Sequence, residues 1–141
     1  MADPRSTTTN RVGTEPRRPL TFKADGSDIV YSATAAGGSA VVGRAVLISG
    51  NGVVRLTGAG SAVHGKLLQV EPDGYCTVEC GSVVTLPKGD GAITAGDRVC
   101  GDLQGANRGY VRSAVAAEVL VAAGFVLDAS TATAVEIMLG A

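Results

Sequence analysis

The clearest structural signal in the sequence is carried by the stretch Val46-Leu47-Ile48-Ser49-Gly50-Asn51-Gly52-Val53-Val54-Arg55-Leu56. Two short runs rich in β-branched residues, which favour strands, flank the dipeptide Asn51-Gly52. Asn-Gly favours a type I′ turn, because both central residues of that turn need a positive φ. The stretch therefore predicts an antiparallel β-hairpin.

A second hairpin is predicted by Asp73-Gly74, which separates Leu67–Val70 from Tyr75–Val78. Short apolar runs divided by Gly, Asp and Asn continue to the end of the chain, and the Ala-rich stretch Ser113–Ala123 is interpreted as a loop or short turn that enters a strand. Further strands are expected at Val83–Leu86, Arg98–Cys100, Tyr110–Arg112, Val119–Leu127 and Val135–Leu139. Seven or eight short strands predict an all-β fold, a small β-barrel-like or β-sandwich body.

A faint internal repeat indicates that this body consists of two related β-units. The aligned segments are Gly43-Arg44-Ala45-Val46 with Gly96-Asp97-Arg98-Val99, Gly65 with Gly124, and Val78-Glu79-Cys80 with Val135-Glu136-Ile137. The two units are expected to wind into one barrel-like body.

The first 28 residues differ from the rest of the chain, because they contain few large apolar side chains. Prolines and basic residues dominate there instead: Pro4, Pro16, Pro19, Arg5, Arg11, Arg17, Arg18 and Lys23. Such a composition cannot form a core by itself. We therefore expect an extended polar N-terminal arm over residues 1–28 and a β-rich body over residues 29–141.

Composition and charge exclude several classes of protein. The chain has 141 residues, which allows one domain and an arm but not a large multidomain enzyme. The formal net charge is −1, which gives no basic excess for nucleic acid or an anionic membrane. The longest uncharged apolar run, Val119–Leu127, falls well short of the roughly 20 residues of a membrane-spanning helix. Neither nucleic acid nor a membrane is expected as a partner.

No catalytic constellation is recognisable around the single histidine, His64. Ser61, Ser82 and Asp97 are the conceivable partners in a nucleophilic triad, but the sequence has no Gly-x-Ser-x-Gly elbow. Gly60–Leu67 nearly matches a phosphate-binding loop, yet Leu67 stands where that loop needs a hydroxyl and a helix should follow. A loop histidine and a turn before a strand are the simpler interpretations, so no catalytic residue is assigned.

Metal and cofactor sites are not expected either. Cys76 and Cys80 lie four residues apart on one predicted strand, too far from each other for a disulfide, and Cys100 stands apart from both. A zinc site would need a further ligand at short spacing, for which only His64 is available. The carboxylates are spread over strands and turns without a recognisable pair. The three cysteines are odd in number and no secretory signal precedes them, which favours an intracellular origin.

The second half of the chain contains an ordered set of motifs that resembles the tailed-phage capsid-cement, or head-decoration, family. The set consists of Gly81-Ser82-Val83-Val84-Thr85-Leu86-Pro87-Lys88, then Ile93-Thr94-Ala95-Gly96-Asp97-Arg98-Val99 with Gly101-Asp102, then Ala122–Leu127, and finally Ala134–Leu139. The resemblance covers about residues 35–141 and does not include the arm. The sequence departs from the family at Cys100-Gly101, where relatives often carry an aromatic pair.

This resemblance implies a non-enzymatic structural protein with no cofactor. Its expected partners are the major capsid protein of a tailed phage and two further copies of itself, with which it would form a homotrimer on the outer surface of an icosahedral head at three-fold and quasi-three-fold sites. It would be made in the cytoplasm of the bacterial host and would stabilise the packed head. In this interpretation the arm contacts the shell by extended backbone pairing and through Arg5, Arg11, Arg17 and Arg18.

Two other functions remain open at this stage. Another virion structural protein, such as the base of a head fibre, shares the same composition. A biotinyl or lipoyl carrier module also contains an Ala-Gly-Asp-x-Val segment, but Lys23, Lys66 and Lys88 do not lie in the hairpin context of its modified lysine.

Overall fold

A computed structural model describes residues 19–118 and 123–139 of the chain, and these residues form two β-sheets. The strands are β1 (Pro19–Ala24), β2 (Ala45–Gly50), β3 (Val53–Leu56), β4 (Gly65–Val70), β5 (Tyr75–Glu79), β6 (Ser82–Pro87), β7 (Arg98–Gln104), β8 (Asn107–Ser113), β9 (Ala123–Asp128) and β10 (Ala134–Leu139). The helical content of the described residues is two short 3₁₀ turns, Ala36–Gly38 and Ala116–Glu118. The predicted all-β fold is confirmed.

The first five strands form a closed barrel in the order β1-β3-β2-β4-β5. Strand β1 closes it, because it pairs antiparallel with β5 on one side and parallel with β3 at Lys23 and Ala24 on the other. Alternate side chains of each strand point inward, as the pleat requires. Together with Ile29 from the connection after β1, they form a core of Ala24, Val46, Val54, Leu56, Leu67, Val70, Cys76 and Val78. We call residues 19–80 the first unit.

The last five strands form a sheet in the order β6-β10-β9-β7-β8. Its two outer strands, β6 and β8, approach each other at a single parallel bridge between Lys88 and Val111, which leaves the second sheet less completely closed than the first. Its core contains Val84, Leu86, Val99, Val111, Val126, Val135, Ile137 and Leu139. We call residues 82–139 the second unit.

The two units repeat the same strand pairing. Each strand of the second sheet has a counterpart in the first: β6 to β10 correspond, in order, to β1 to β5. Within each sheet, equivalent pairs of residues face each other across neighbouring strands. Matching pairs are Leu20–Val78 with Val84–Ile137, Val46–Leu56 with Val99–Ser113, and Ile48–Val54 with Gly101–Val111. Even the irregularities agree, since the β4–β5 pairing skips Leu68 and the β9–β10 pairing skips Leu127. The predicted relationship between two β-units is therefore present in the fold.

One of the three aligned segments needs a correction. Gly43 and Gly96 do correspond, because their N–H groups donate to Leu67 O and Val126 O at the same place in the two sheets. In the third segment, however, the counterpart of Val78 is Ile137, not Val135. The sequence match at Val-Glu was misleading because any Val can occupy an inward position, whereas the strand pairing fixes which inward position it is.

The two predicted hairpins form, but their turns differ. Asn51-Gly52 is the two-residue connection between β2 and β3, as predicted. The turn at Asp73-Gly74 is longer, because Glu71 N–H donates to Tyr75 O and Gly74 N–H donates to Glu71 O. Gly74 has a φ of 88°, which places it at the left-handed position that ends a three-residue hairpin loop. The two-residue turn predicted there is therefore wrong.

The end of the predicted arm also needs a correction, because residues 19–24 form β1 and belong to the barrel. Asp25 remains attached to the sheet, since its N–H donates to Val54 O, and Ile29 is buried in the first core. Residues 19–28 are thus part of the first unit, and residues 1–18 lie outside the described residues. The strand expected over Val119–Leu127 is described from Ala123 onward.

The first unit contacts the second through residues 57–61, which follow β3 and which we call the linking loop. Its backbone pairs with the edges of β7 and β8: Gly60 N–H donates to Gly101 O, Gly101 N–H to Ser61 O, and Gly109 N–H to Thr57 O. A Cβ at Gly101 would collide with Gly58 O and with Ser61 Oγ, so the close approach requires glycine. The neighbouring Val63 belongs to the core of the second unit. Both hydrogen bonds and core packing therefore hold the units together.

Candidate functional site

The outer face of the second sheet carries a group of exposed apolar side chains. Val83, Phe125 and Leu127 are 39%, 37% and 39% exposed, and Met138 is half-buried between two of them. Cross-strand pairing makes these residues neighbours, because Met138 faces Val83 on one side and Phe125 on the other. We call Val83, Phe125, Leu127 and Met138 the outer apolar face.

The pleat of the sheet explains why these side chains point outward. Val84, Val126 and Ile137 occupy the inward positions of their strands and are buried in the core. The residues beside them in sequence must then face the opposite side. At Leu127 the bulge in the β9–β10 pairing leaves Leu127 without a direct partner.

The first unit serves as an internal comparison for this face. By strand pairing, the positions of Val83, Phe125, Leu127 and Met138 are taken in the first unit by Pro19, Lys66, Leu68 and Glu79. At the positions of Phe125 and Met138 the fold alone therefore does not require an apolar side chain, whereas Pro19 and Leu68 are apolar at the other two positions. Contiguous exposed apolar residues that the fold does not need are typical of contact surfaces.

A row of polar residues borders the outer apolar face. Thr85 faces Glu136 across β6 and β10, and Glu136 faces Asp128 across β10 and β9. Hydrogen bonds from Ser130 lower the pKa of Asp128 and keep its carboxylate ionised. The face thus has an apolar centre and an acidic border, which suits a protein contact with a basic or polar rim.

The N-terminal segment joins the body at the start of β1. Pro19, the first residue of β1, pairs with Glu79 at the end of β5, three residues before β6 begins at Ser82. Arg5, Arg11, Arg17 and Arg18, the residues predicted to contact a capsid, lie outside the described residues. Their contacts remain a prediction, but the point where their segment enters the barrel is known.

The charged cluster of the second unit has a structural role. Arg112 donates to both carboxylate oxygens of Glu118 at 2.7 and 2.6 Å, and its Nε lies 3.6 Å from Asp102. Arg112 and the N–H of Val115 lower the pKa of Glu118 to about 2. The other carboxylate oxygen of Asp102 accepts from Gly91 N–H at 2.7 Å. These bonds fasten the 3₁₀ turn and the β6–β7 connection to β8.

The residues considered for catalysis are occupied by other contacts. His64 Nδ1 accepts a hydrogen bond from Ile48 N–H at 2.9 Å, so this nitrogen carries no proton there. Ser61 Oγ is engaged within its own loop by Gly58, and Asp97 accepts from Ser113 Oγ at 2.7 Å. No hydrogen bond between His64, Ser61 and Asp97 occurs in the described structure. The segment after Gly65 is the strand β4, as the sequence predicted, and not a phosphate-binding helix.

The cysteines have the properties of packed, unreactive thiols. Burial raises the pKa of both Cys76 and Cys100 to about 11 and also raises that of Cys80. All three are free thiols. Within residues 19–118 and 123–139 no three His, Cys, Asp or Glu side chains come together in a way that could hold a metal ion.

An open groove of about 320 Å³ lies where β6 and β10 approach the first unit. Its lining residues are Val42, Gly43, Arg44, Thr85, Leu86, Pro87, Tyr110, Thr133 and Ala134. Arg44 is the charged residue of this lining, and it lies 5.2 Å from the centre of the Tyr110 ring and donates to Arg108 O. These contacts tie Arg44 to the joint between the units.

The sequence alone did not identify the outer apolar face. A signal was present in β9, where Phe125, Val126 and Leu127 are all apolar although only Val126 is needed for the core.

The described part of the chain contains no helix with the length and hydropathy of a membrane-spanning segment. No protein-family model matches the chain, and no curated protein is significantly similar to it.

Proposed function

We propose that this protein is a non-enzymatic head-decoration protein of a tailed phage, which binds the outer surface of the capsid and stabilises the packed head. The observation that carries the proposal is the outer apolar face, in which Phe125 and Met138 occupy the positions that Lys66 and Glu79 take in the first unit. In this proposal the face packs against the major capsid protein or a neighbouring copy, as a trimer at three-fold and quasi-three-fold sites.

The segments that resemble the head-decoration family support this assignment of the surface. Gly81–Lys88 contains β6, Ile93–Val99 and Gly101-Asp102 overlap β7, Ala122–Leu127 covers β9 except Asp128, and Ala134–Leu139 is β10. Val83, Phe125, Leu127 and Met138 all lie in these segments. The resemblance and the exposed apolar face therefore point to the same part of the molecule.

The arm supports the proposal through its charge and its place of attachment. Residues 1–18 contain Arg5, Arg11, Arg17 and Arg18 against two acidic residues, Asp3 and Glu15. The segment leads into Pro19, whose strand partner Glu79 lies three residues before β6 in sequence, and in this proposal the face and the arm engage one partner together. Contacts of modest strength add up in such an arrangement, because the second contact forms at a high effective concentration.

The first test is co-sedimentation of the purified protein with undecorated phage heads, with the free mass and the bound stoichiometry both recorded. The double variant Phe125→Ser/Leu127→Ser should weaken binding at least about tenfold, or about 1.4 kcal/mol. A matched control, Tyr75→Ser/Val30→Ser, removes two apolar side chains that are 46% and 58% exposed in the first unit. Equal binding of both variants and the unchanged protein would exclude the outer apolar face as the contact.

The arm is tested by the same assay with residues 1–18 deleted. A deletion of residues 1–28, the arm expected from the sequence, is unsuitable because it removes β1 and opens the barrel. The shorter deletion should leave a folded body with strongly reduced occupancy of the heads. Unchanged occupancy at equal concentration would contradict the role of Arg5, Arg11, Arg17 and Arg18.

Another virion structural protein remains the alternative function, and failure to bind heads together with a monomeric mass would favour it. A carrier module is less well supported by the positions of the lysines. Lys23 and Lys66 lie within β1 and β4, and Lys88 forms the bridge to Val111. The measured intact mass would reveal a modified lysine.

A further inference from the structure

The joint between the two units uses a loop of one unit and the strand edge of the next. The linking loop presents Thr57 O, Gly60 N–H and Ser61 O, and the second unit receives them at Gly101 and Gly109. Loop and edge are different surfaces, so the contact is head-to-tail. Because the units share one fold, the second unit should possess a loop of the same kind, and the first unit an edge of the same kind.

The second unit does possess such a loop, residues 114–118. Ala114 N–H donates to Arg98 O as Thr57 N–H donates to Ala45 O, and Glu118 N–H donates to Val115 O as Ser61 N–H donates to Gly58 O. The side chains act alike as well, because Val115 N–H donates to Glu118 Oε1 as Gly58 N–H donates to Ser61 Oγ. We call residues 114–118 the second loop.

The two loops differ in their surroundings. Thr57 and Gly58 are buried against the second unit, whereas Val115, Ala116 and Ala117 are exposed, Val115 to 57%. The second loop thus has the shape of the linking loop without a strand edge in front of it among the described residues.

The first unit possesses the corresponding edge on β2. Strand pairing makes Ile48 the counterpart of Gly101, since Ile48 faces Val54 as Gly101 faces Val111. The N–H of Ile48 points away from β3, because it reaches the His64 ring. Ile48 is 43% exposed, whereas Gly101 is buried under the linking loop. A loop and an edge of matching geometry are therefore both exposed, one on each unit.

Two side chains occupy this edge. The Cβ of Ile48 lies where a Cβ at Gly101 would collide with the linking loop, so a second loop could not approach as closely. His64 Nδ1 meanwhile accepts the Ile48 N–H at 2.9 Å, the N–H whose counterpart in Gly101 donates to Ser61 O. Both the space and the hydrogen bond that docking needs are thus taken.

We propose that the second loop and the β2 edge are the two halves of a head-to-tail contact between copies of this chain, and that Ile48 and His64 prevent this contact from forming. If the contact formed, Glu118 O of one copy would accept from Ile48 N–H of another, and Ala117 N–H would donate to Ile48 O. Such contacts add copies in a row unless the rotation closes a ring. Natural sheets protect exposed edges against this kind of growth. The proposal does not depend on capsid binding.

The test is sedimentation velocity of the full chain over a range of concentrations. The double variant Ile48→Gly/His64→Ala removes both obstacles, and we expect species larger than those of the unchanged protein, increasing with concentration. The matched control Ile48→Ala/His64→Ala differs by one methyl group, and its Cβ should still prevent docking. Adding Ala117→Pro to the glycine variant removes the N–H of the second loop and should abolish the new species.

A folded glycine variant that sediments like the unchanged protein would overturn the proposal. Equal association of the alanine control would also overturn it, because the Cβ would then be no obstacle. Circular dichroism establishes folding. If the double variant is unfolded, the single variant Ile48→Gly replaces it, and its failure to associate at the highest soluble concentration would count equally against the proposal. Head binding is a separate assay, so neither proposal is judged by the other's result.

Discussion

The edge of β2 in the first unit and the edge of β7 in the second have the same pairing and opposite surroundings. Gly101 is buried under the linking loop, while its counterpart Ile48 is exposed beside His64. The outer faces differ in the same manner, with Phe125 and Met138 where the first unit has Lys66 and Glu79. A duplicated fold thus conserves which backbones pair, whereas individual side chains decide which surface is used.

The largest expected effect is the loss of unfolding free energy when either core is mutated, and measuring it in each unit tests whether the units unfold independently. Leu67 in the first core and Leu86 in the second are both fully buried. Replacing either by Ala should lower the free energy of unfolding by about 2–5 kcal/mol, through lost burial and a cavity. The linking loop and Val63 join the units, so we expect either variant to shift one common unfolding transition.

Hydrogen exchange of the Val54 and Val111 amides, one in each unit, checks this expectation. Faster exchange of both amides in each variant would agree with a single cooperative body. Faster exchange confined to the mutated unit would mean that the comparison concerns two separate domains, and that the joint contributes little to stability.

A smaller effect is expected at the two counterpart edges. Gly101→Ala introduces a Cβ that collides with Gly58 O, which is backbone and cannot turn away, so we expect a loss of about 1–3 kcal/mol. Ile48→Ala shortens an exposed side chain at the corresponding position and should cost less than about 0.5 kcal/mol. Urea denaturation of the two variants measures the difference, and equal losses would contradict the close approach at Gly101.

The smallest effect distinguishes the two loops by pH. Glu118 caps the second loop with a pKa of about 2, below its ordinary value of 4.5, whereas its counterpart Ser61 does not titrate. A lowered pKa means that the stabilisation is present above pH 4.5 and is lost as the pH falls towards 2. The variant Glu118→Ser should therefore lose less stability than the unchanged protein between pH 4.5 and about 2.

Thermal unfolding followed by circular dichroism at several pH values tests this last expectation. Parallel losses in both proteins would show that the Arg112–Glu118 pair adds no pH-dependent stability. The control Asp73→Ser changes an acidic residue in an exposed hairpin turn, away from Arg112, and should follow the unchanged protein.

The sequence predicted those parts of the fold that depend on neighbouring residues. Asn51-Gly52 specified a hairpin because the turn residues and both strands are adjacent in the chain. Strand β1 was missed although Leu20, Phe22 and Ala24 alternate with polar residues, because the proline- and arginine-rich stretch before it was taken to continue through it, and because it pairs with β5, more than fifty residues away. Local composition carries no information about such a partner.

The outer apolar face could not be predicted for a different reason. An apolar residue in a strand has the same propensity whether it points into the core or out of it. In Gly124-Phe125-Val126-Leu127 only the strand pairing decides that Val126 is inside and that Phe125 and Leu127 are outside. Comparison with Lys66 at the position of Phe125 then showed that the fold itself does not demand the aromatic ring.

The linking loop also sets an order of events during synthesis. The first unit has all its strands once Glu79 has been made, but the edge that receives Thr57, Gly60 and Ser61 belongs to β7 and β8. Until Gly109 has been made, these groups lack their partners in β7 and β8, and Val63 lacks its complete core until Leu139 has been made. Domains generally fold in the order in which they emerge. The linking loop of the nascent first unit is therefore exposed during this time. Slow translation of residues 80–109 would prolong the interval in which a chaperone or another nascent chain can bind it.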